Sequence, residues 1–522
     1  MRDHGTYRLP WGGFRRFARR AAMCAVVLAA MCAAAGAADA ERRWPVEKAR
    51  RWHEAQPWLV GCNFLPSTAV NDVEMWQAAT FDPRTIEREL GWARDLGFNS
   101  VRVFINYVVW KADAEGLTRR FDQFLAIAGR HGIATMAILL DDCFKQNPKV
   151  GPQEAPVPGV HNSQWVASPG EGTVRDPKAW GDLERYVKGM VAAFGRDKRL
   201  VVWDLYNEPS QSLPLVEAAF RWAREIGPDQ PLTTCVYGGS CDPKRIAELS
   251  DVISFHCYGG LGELRAMVDE LSARARPLLC TEWMRRPASR FETHLPFLKE
   301  RGVGAWSWGL VAGRTQTYFP WGSPQGAPEP LVWFHDILRA NGEPFSRREV
   351  LFVRVTTGAL PPSALPVMKE LVPAAERDPI VWRYTLEKPP DDWRRPDFDD
   401  SSWREGRAPF GREEPPIARK PNTVWTSADI WLRRAVELPP GEHAELALRM
   451  HHDEDVEIHV DGIPACKVQG YNASYEIFDL APAAAEALRR PGKHVLAVHC
   501  RQTGGGQYID LGIMGVAPHA RR

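Results

Sequence analysis

The chain has 522 residues, 44% of them hydrophobic and 25% charged, with a formal net charge of +1. That length argues for two domains rather than one. The near-neutral balance argues against a nucleic-acid partner, which would call for a basic excess or stripe.

At the N-terminus, Arg15, Arg16, Arg19 and Arg20 precede the run "AAMCAVVLAAMCAAAGAADA" (21–40). A basic head, an apolar stretch and a small-residue end are the layout of a secretory signal covering residues 1–40 and cut between Ala37 and Ala40. The expected location is therefore secreted or periplasmic. The run is too short and Ala-rich for a membrane anchor, and no later segment reads as a span, so no membrane contact is expected after cleavage. Two of the ten cysteines, Cys24 and Cys32, leave with this segment. Cys62, Cys235, Cys257 and Cys280 lie in strand-like runs and read as buried free thiols. No C-x-x-C pair occurs; Cys235 and Cys241 are the nearest pair in sequence.

From residue 41 to 355 short apolar runs alternate with amphipathic segments. The runs are "WLVGCNF" (58–64), "SVRVFI" (100–105), "ATMAILL" (134–140), "LVVWDLY" (200–206), "PLTTCVY" (231–237), "VISFHCY" (252–258), "PLLCTEW" (277–283) and "VGAWSWGL" (303–310). Between them lie helical patterns such as "DPRTIERELGWARDLG" (82–97), with an acid at its start and a Gly at its end. Eight such strands predict an α/β fold of the (β/α)8 TIM-barrel type. A doubly wound open sheet is disfavoured because no G-x-G-x-x-G follows the first strand. Two connections, 141–176 and 311–330, are too long and too rich in Pro and Gly for plain links. Both follow strand C-terminal ends, so both are expected to wall one mouth. The barrel pattern is expected to finish with "LVWFHDILRANG" (331–342).

Residues 356–377, with "TTGALPPSALP", read as a linker. From 378 to 518 short alternating strands with turn residues predict a β-sandwich domain. In it "HHDEDVEIH" (451–459) offers His451, His452, Asp453, Asp455 and His459 at metal-like density, but reads as a charged turn entering a strand. "TGGGQ" (503–507) reads as a hairpin loop, since no helix follows to cradle a phosphate.

Barrel enzymes carry their chemistry at strand C-terminal ends. Those ends present Arg102, Asp141 with Asp142, Asn207 with Glu208, His256 with Tyr258, Glu282 and Trp308. A carboxylate at the end of a buried strand is costly to hold, and two of them, Glu208 and Glu282, face each other across the mouth. Glycoside hydrolysis requires such a pair, one as acid and one as nucleophile or base. Trp165, in the third connection, is a candidate aromatic platform, and Trp306 is divided between core packing and substrate stacking.

On these residues the chain resembles the clan A glycoside hydrolases, above all the cellulase-like family 5 and the family 2 β-glycosidases. "WDLYNEP" (203–209) and "TEW" (281–283) carry the likeness, which covers roughly 45–350. It implies Glu208 as acid/base and Glu282 as nucleophile of a retaining β-glycoside hydrolase, in the cellulase, mannanase or β-glycosidase range, with a carbohydrate substrate and no cofactor or metal. It further implies that Asn207 bonds the sugar 2-hydroxyl, that Arg102, His256 and Tyr258 brace the nucleophile and bind sugar, and that Trp308 lies under the ring. Family 5 members often carry a His after the third strand, where this chain has Asp141 and Asp142; Asp142 is taken as a substrate contact. "DDWRRPDFDDSSWREGRAPFG" (391–411) and "DVEIHVDG" (455–462) resemble the galactose-binding-like jelly rolls attached to family 2 enzymes, with Trp393 and Trp403 expected in its core. Two rivals share much of this pattern: a transglycosylase using the same residues, and a carbohydrate-binding protein without catalysis, which would be expected to lack one of the two glutamates.

Overall fold

The computed structural model describes residues 43–412, 420–439, 445–472 and 474–516; the expected signal segment lies outside them. Eight parallel strands form the first unit: β1 (Val60–Asn63), β2 (Ser100–Phe104), β3 (Ala134–Asp141), β4 (Leu200–Asn207), β5 (Leu232–Thr233), β6 (Ile253–His256), β7 (Leu278–Trp283) and β8 (Gly304–Trp308). They pair in the order β5-β4-β3-β2-β1-β8-β7-β6. An isolated parallel bridge, Val236 to Phe255, joins the two ends and closes the barrel. Its bonds run from Val236 N–H to the Ser254 carbonyl (2.9 Å) and from His256 N–H to the Val236 carbonyl (3.0 Å). The fifth strand is shorter than its apolar run because the chain leaves the ladder at Thr234 and Cys235; the Cys235 thiol there accepts the Glu208 N–H at 3.0 Å.

The strands are buried along nearly their whole length, as expected of a parallel sheet covered by helices. The helix Pro83–Asp95 shows why the pattern folds this way. Asp82 accepts from the Thr85 N–H, Pro83 occupies the first turn, and Ile86, Leu90 and Ala93 face inward. The floor of the barrel is filled by Met136, Val202, Val252, Leu279 and Trp306. Trp306 is thus a core residue, its Nε1–H donating to Ser100 Oγ at 3.2 Å.

The segment 331–342 is not helical; its carbonyls are held by a side chain instead. Arg286, just after β7, donates to the carbonyls of Trp333 (3.1 Å), His335 (2.7 Å) and Asp336 (3.0 Å) and pairs with Glu349. The last barrel helix is Arg347–Thr357, opened by the Ser346 cap.

The second unit contains β9 (Lys369–Val372), β10 (Ile380–Thr385), β11 (Arg404–Ala408), β12 (Phe410–Gly411), β13 (Thr423–Val424) and β14 (Asp429–Glu437). It continues with β15 (Glu445–Asp453), β16 (Asp455–Val460), β17 (Ile463–Val468), β18 (Glu476–Asp479), β19 (Lys493–Arg501) and β20 (Tyr508–Val516). One sheet runs β11-β10-β14-β19-β16-β17 and the other β13-β12-β20-β15-β18, with β9 on β20. Leu432, Ile458 and Val498 from the first sheet meet Leu448, Leu511 and Ile513 from the second in one core. β9 lies inside the expected linker; its four residues sit between Pro366 and Pro373, too short a run to stand out. "TGGGQ" is not a hairpin loop, because β19 and β20 belong to different sheets and the loop crosses between them.

The histidine-rich stretch spans β15 and β16. His451 packs against the rings of Tyr475 and Tyr508, His452 donates to the Glu454 carbonyl at 2.7 Å, and His459 lies 3.2 Å from Glu457. Trp393 is buried in a small cluster with Trp431 and Ala497, and Trp403 packs on it. The two units are tied by Arg290, which donates to the Ile477 carbonyl at 2.8 Å and pairs with Glu476, and by Arg348, which bridges Glu292 (2.7 Å) and Asp479 (2.9 Å).

Candidate active site

Arg102 is the centre from which the site is built. It is fully buried at the middle of β2, where a guanidinium is tolerable only if every N–H finds an acceptor. Its acceptors are Asp204 (2.8 and 3.0 Å), Asn63 (2.8 Å), Asn207 (2.6 Å) and Glu282 (2.7 Å), contributed by β4, β1, β4 and β7. Its charge is locked on, since Asp204 and Glu282 outweigh the burial that opposes it.

Glu282 receives a second donor, the Tyr258 hydroxyl, at 2.8 Å. Burial pushes its carboxyl above the ordinary glutamate range, while His256 and Arg102 pull the other way. Glu208 stands opposite in a different environment. Its Oε1 accepts from His256 Nδ1 at 2.8 Å and its Oε2 from the Cys143 thiol at 3.3 Å. Burial raises its pKa too, but no guanidinium touches it. His256 also lies 3.5 Å from Glu282, and burial depresses its pKa to about 3, so it bridges the pair as a neutral imidazole. One oxygen of Glu208, one of Glu282 and the His256 nitrogen all lie within 4.8 Å of one another. Among the described residues this is the one group of His, Cys, Asp and Glu compact enough to hold a cation. Its chemistry does not suit one: Nδ1–H is committed as a donor to Glu208, and the Arg102 charge sits 2.7 Å from Glu282.

The turn that delivers Glu208 is strained, with φ of +42° at a non-glycine residue preceding a proline. Asp142 holds this turn. One oxygen accepts from the Tyr206 hydroxyl at 2.6 Å, and the other from the N–H groups of Ser210 (2.8 Å) and Gln211 (3.0 Å). The carboxylate is thereby occupied by protein and shapes the turn instead of facing the mouth. Asp141 clamps Asn207 through its Nδ2–H (2.8 Å) and accepts Trp165 Nε1–H (2.8 Å), so the Asn207 amide has one orientation. Trp165 is 3% exposed and lies edge-on to Phe104 and Trp308 at centroid distances of 4.8 and 5.9 Å. It is a backing for Trp308, which alone of the two is partly open to the mouth.

Arg102, Asn207, Glu208, His256, Tyr258, Glu282 and Trp308 therefore converge as expected from their strand-end positions. Asn63, Asp204, Cys143 and Cys235 join them without having been singled out. Asn63 gave the same signal as Arg102, a polar residue at the end of an apolar strand run. Asp204 gave the alternation of "WDLYNE". The thiols gave none, since a cysteine in an apolar run reads as packing. All eight described cysteines, Cys235 and Cys241 included, are unbridged.

No protein-family model matches the sequence, and no curated protein sequence does. Solved structures that are similar include a Glu-to-Ala variant of GH5_18 from Streptomyces cattleya in complex with Manβ1-4GlcNAc, at 16% identity over 58% of this chain and 80% of that one, with a TM-score of 0.42. The exo-β-1,4-mannosidase Op5Man5 from Opitutaceae bacterium strain TAV5 is 18% identical over 60% of this chain and 61% of its own, with a TM-score of 0.41. The endo-β-1,4-mannanase from Thermotoga petrophila is 12% identical over 88% and 98%, with a TM-score of 0.42.

Proposed function

We propose that the protein is a retaining β-glycoside hydrolase acting on a β-linked glycan or oligosaccharide outside the cytoplasm, as the N-terminal signal pattern implies. The observation that carries this is the pair Glu208 and Glu282, with oxygens within 4.8 Å, in unlike environments. Retaining enzymes need about 5–5.5 Å between their carboxyl groups, whereas inverting ones need room for a water.

Glu282, paired with Arg102 and held by Tyr258, is the nucleophile that attacks the anomeric carbon. Glu208, raised by burial and touched by no guanidinium, is the better placed of the two to hold a proton. It gives that proton to the departing glycosidic oxygen, then takes one from the water that releases the sugar from Glu282. Arg102 and Tyr258 hold Glu282 in one rotamer, and Asn207, clamped by Asp141, presents a fixed amide to the ring.

Alanine variants separate the roles. Glu282→Ala should abolish turnover of every substrate. Glu208→Ala should spare the first step on dinitrophenyl β-glycosides, which need no proton, and azide should rescue the second step as a β-glycosyl azide. A β-azide from Glu282→Ala, with an α-azide from Glu208→Ala, is the behaviour expected if the two roles are exchanged. NMR of the first product from wild-type enzyme should show the β-anomer; initial α-anomer would sink the retaining mechanism.

A further inference from the structure

The two long connections at the mouth are sewn together, and the seam lies on one side only. Gln316, after β8, donates to the Val157 carbonyl (2.8 Å) and accepts from Gly159 N–H (2.9 Å), both on the connection after β3. Asn162 N–H donates to the Thr315 carbonyl and Gly326 N–H to the Pro158 carbonyl, each at 2.8 Å. At Gly159 a Cβ would stand 2.6 Å from the Ala327 nitrogen, so the approach is backbone on backbone. The seam runs over the exit of β1, where Arg314 N–H donates to the Ser67 carbonyl at 3.0 Å. It continues through His161 against Trp321 and Trp321 against Tyr258, with ring centroids 6.3 and 5.2 Å apart. These contacts link the connection after β3, over β1 and β8, to Tyr258 at the end of β6.

Behind Trp308 there is no room for another sugar. The pocket bounded by Phe64, Phe104, Trp165, Trp308 and Asp336 offers only about 30 Å³ of water-accessible space, too little for a pyranose ring. On the opposite side the connections are short: β4 reaches its helix at Leu213 and β5 reaches the next at Pro243. That is the side on which Glu208 and Tyr237 stand.

We infer, granted the glycosidase reading, that this is an exo-acting enzyme that removes one sugar at a time from the non-reducing end of a β-linked chain. The proton donor must face the leaving-group oxygen, so the leaving chain lies over β4 and β5, where the mouth is open. The sugar attacked by Glu282 then points toward Trp308 and the wall, which ends the site after one ring.

The test uses the whole wild-type protein and β-1,4-linked manno- and gluco-pentaoses carrying a fluorophore at the reducing end. Aryl β-mannoside and β-glucoside serve as controls. The expected result is stepwise loss of single unlabelled monosaccharides, with label appearing first on the tetraose. Pentaoses methylated at O4 of the non-reducing sugar should resist. Early labelled mono-, di- or triose, or cleavage of the methylated chain, overturns the exo assignment while leaving the hydrolase intact. Absence of hydrolysis of all these oligosaccharides and aryl glycosides overturns both.

Discussion

At Arg102 a single side chain meets two carboxylates, so it carries both structure and chemistry. Replacing it by Met leaves Asp204 and Glu282 buried without their partner, and breaking a buried pair costs about 3–5 kcal/mol. Arg102→Met should accordingly lower the melting temperature sharply and abolish turnover. Arg102→Lys should restore part of the stability but little activity, because a point charge cannot serve four acceptors at once. Cys143 offers a finer test. Its thiol favours the ionised form of Glu208, so its removal raises the Glu208 pKa further. The acid must be protonated in the free enzyme, so the alkaline limb of kcat/KM should move to higher pH in Cys143→Ala. A limb that stays or falls would show that the thiol does not donate.

Among the elements, the strand-end turns are the parts that function depends on most. Asp142 holds the turn after β4 through three donors. Asp142→Ala should therefore leave the barrel folded yet depress kcat by roughly 10²-fold with little change in KM, the mark of a misplaced acid. All eight barrel strands and the two long mouth connections could be read from sequence, because an apolar run and a Pro/Gly-rich insertion each have a local signature. The segment 331–342 could not. Its "LVWFHDIL" marks where the barrel pattern finishes but not its path, which Arg286 fixes by capturing three of its carbonyls. The part Asp142 plays at the turn was not legible for the same kind of reason, since its partners at Tyr206 and Ser210 are more than sixty residues away. Arg286→Ala should free that segment, and limited proteolysis should then cut between 311 and 346 faster than in wild type.

On the scale of the molecule, the sandwich braces the barrel through Arg290 and Arg348, both on elements that follow β7 and β8. Ending the chain at 368 strips Arg290 of Glu476 and Arg348 of Asp479. A loss of about 3 kcal/mol would lower the melting point by roughly 4 °C, while turnover of an aryl glycoside per folded molecule should persist. If the truncated enzyme keeps its melting point and loses only affinity for polymer, the sandwich is a binding module. The existence of this unit was legible in its alternating strands. The sheet to which each strand belongs was not, because the "TGGGQ" crossover has the composition of a hairpin.

The left-handed backbone at Glu208 has an evolutionary consequence. A side chain with a Cβ pays about 1–2 kcal/mol to sit there, and its carboxyl is desolvated besides. Glu208→Gly should melt higher than Glu208→Ala by calorimetry, the relief of backbone strain outweighing the extra chain entropy that glycine loses on folding. The protein is therefore under a standing pull toward inactivity. In any lineage that stops meeting its substrate, the first stabilising change available at this turn is the one that removes the acid.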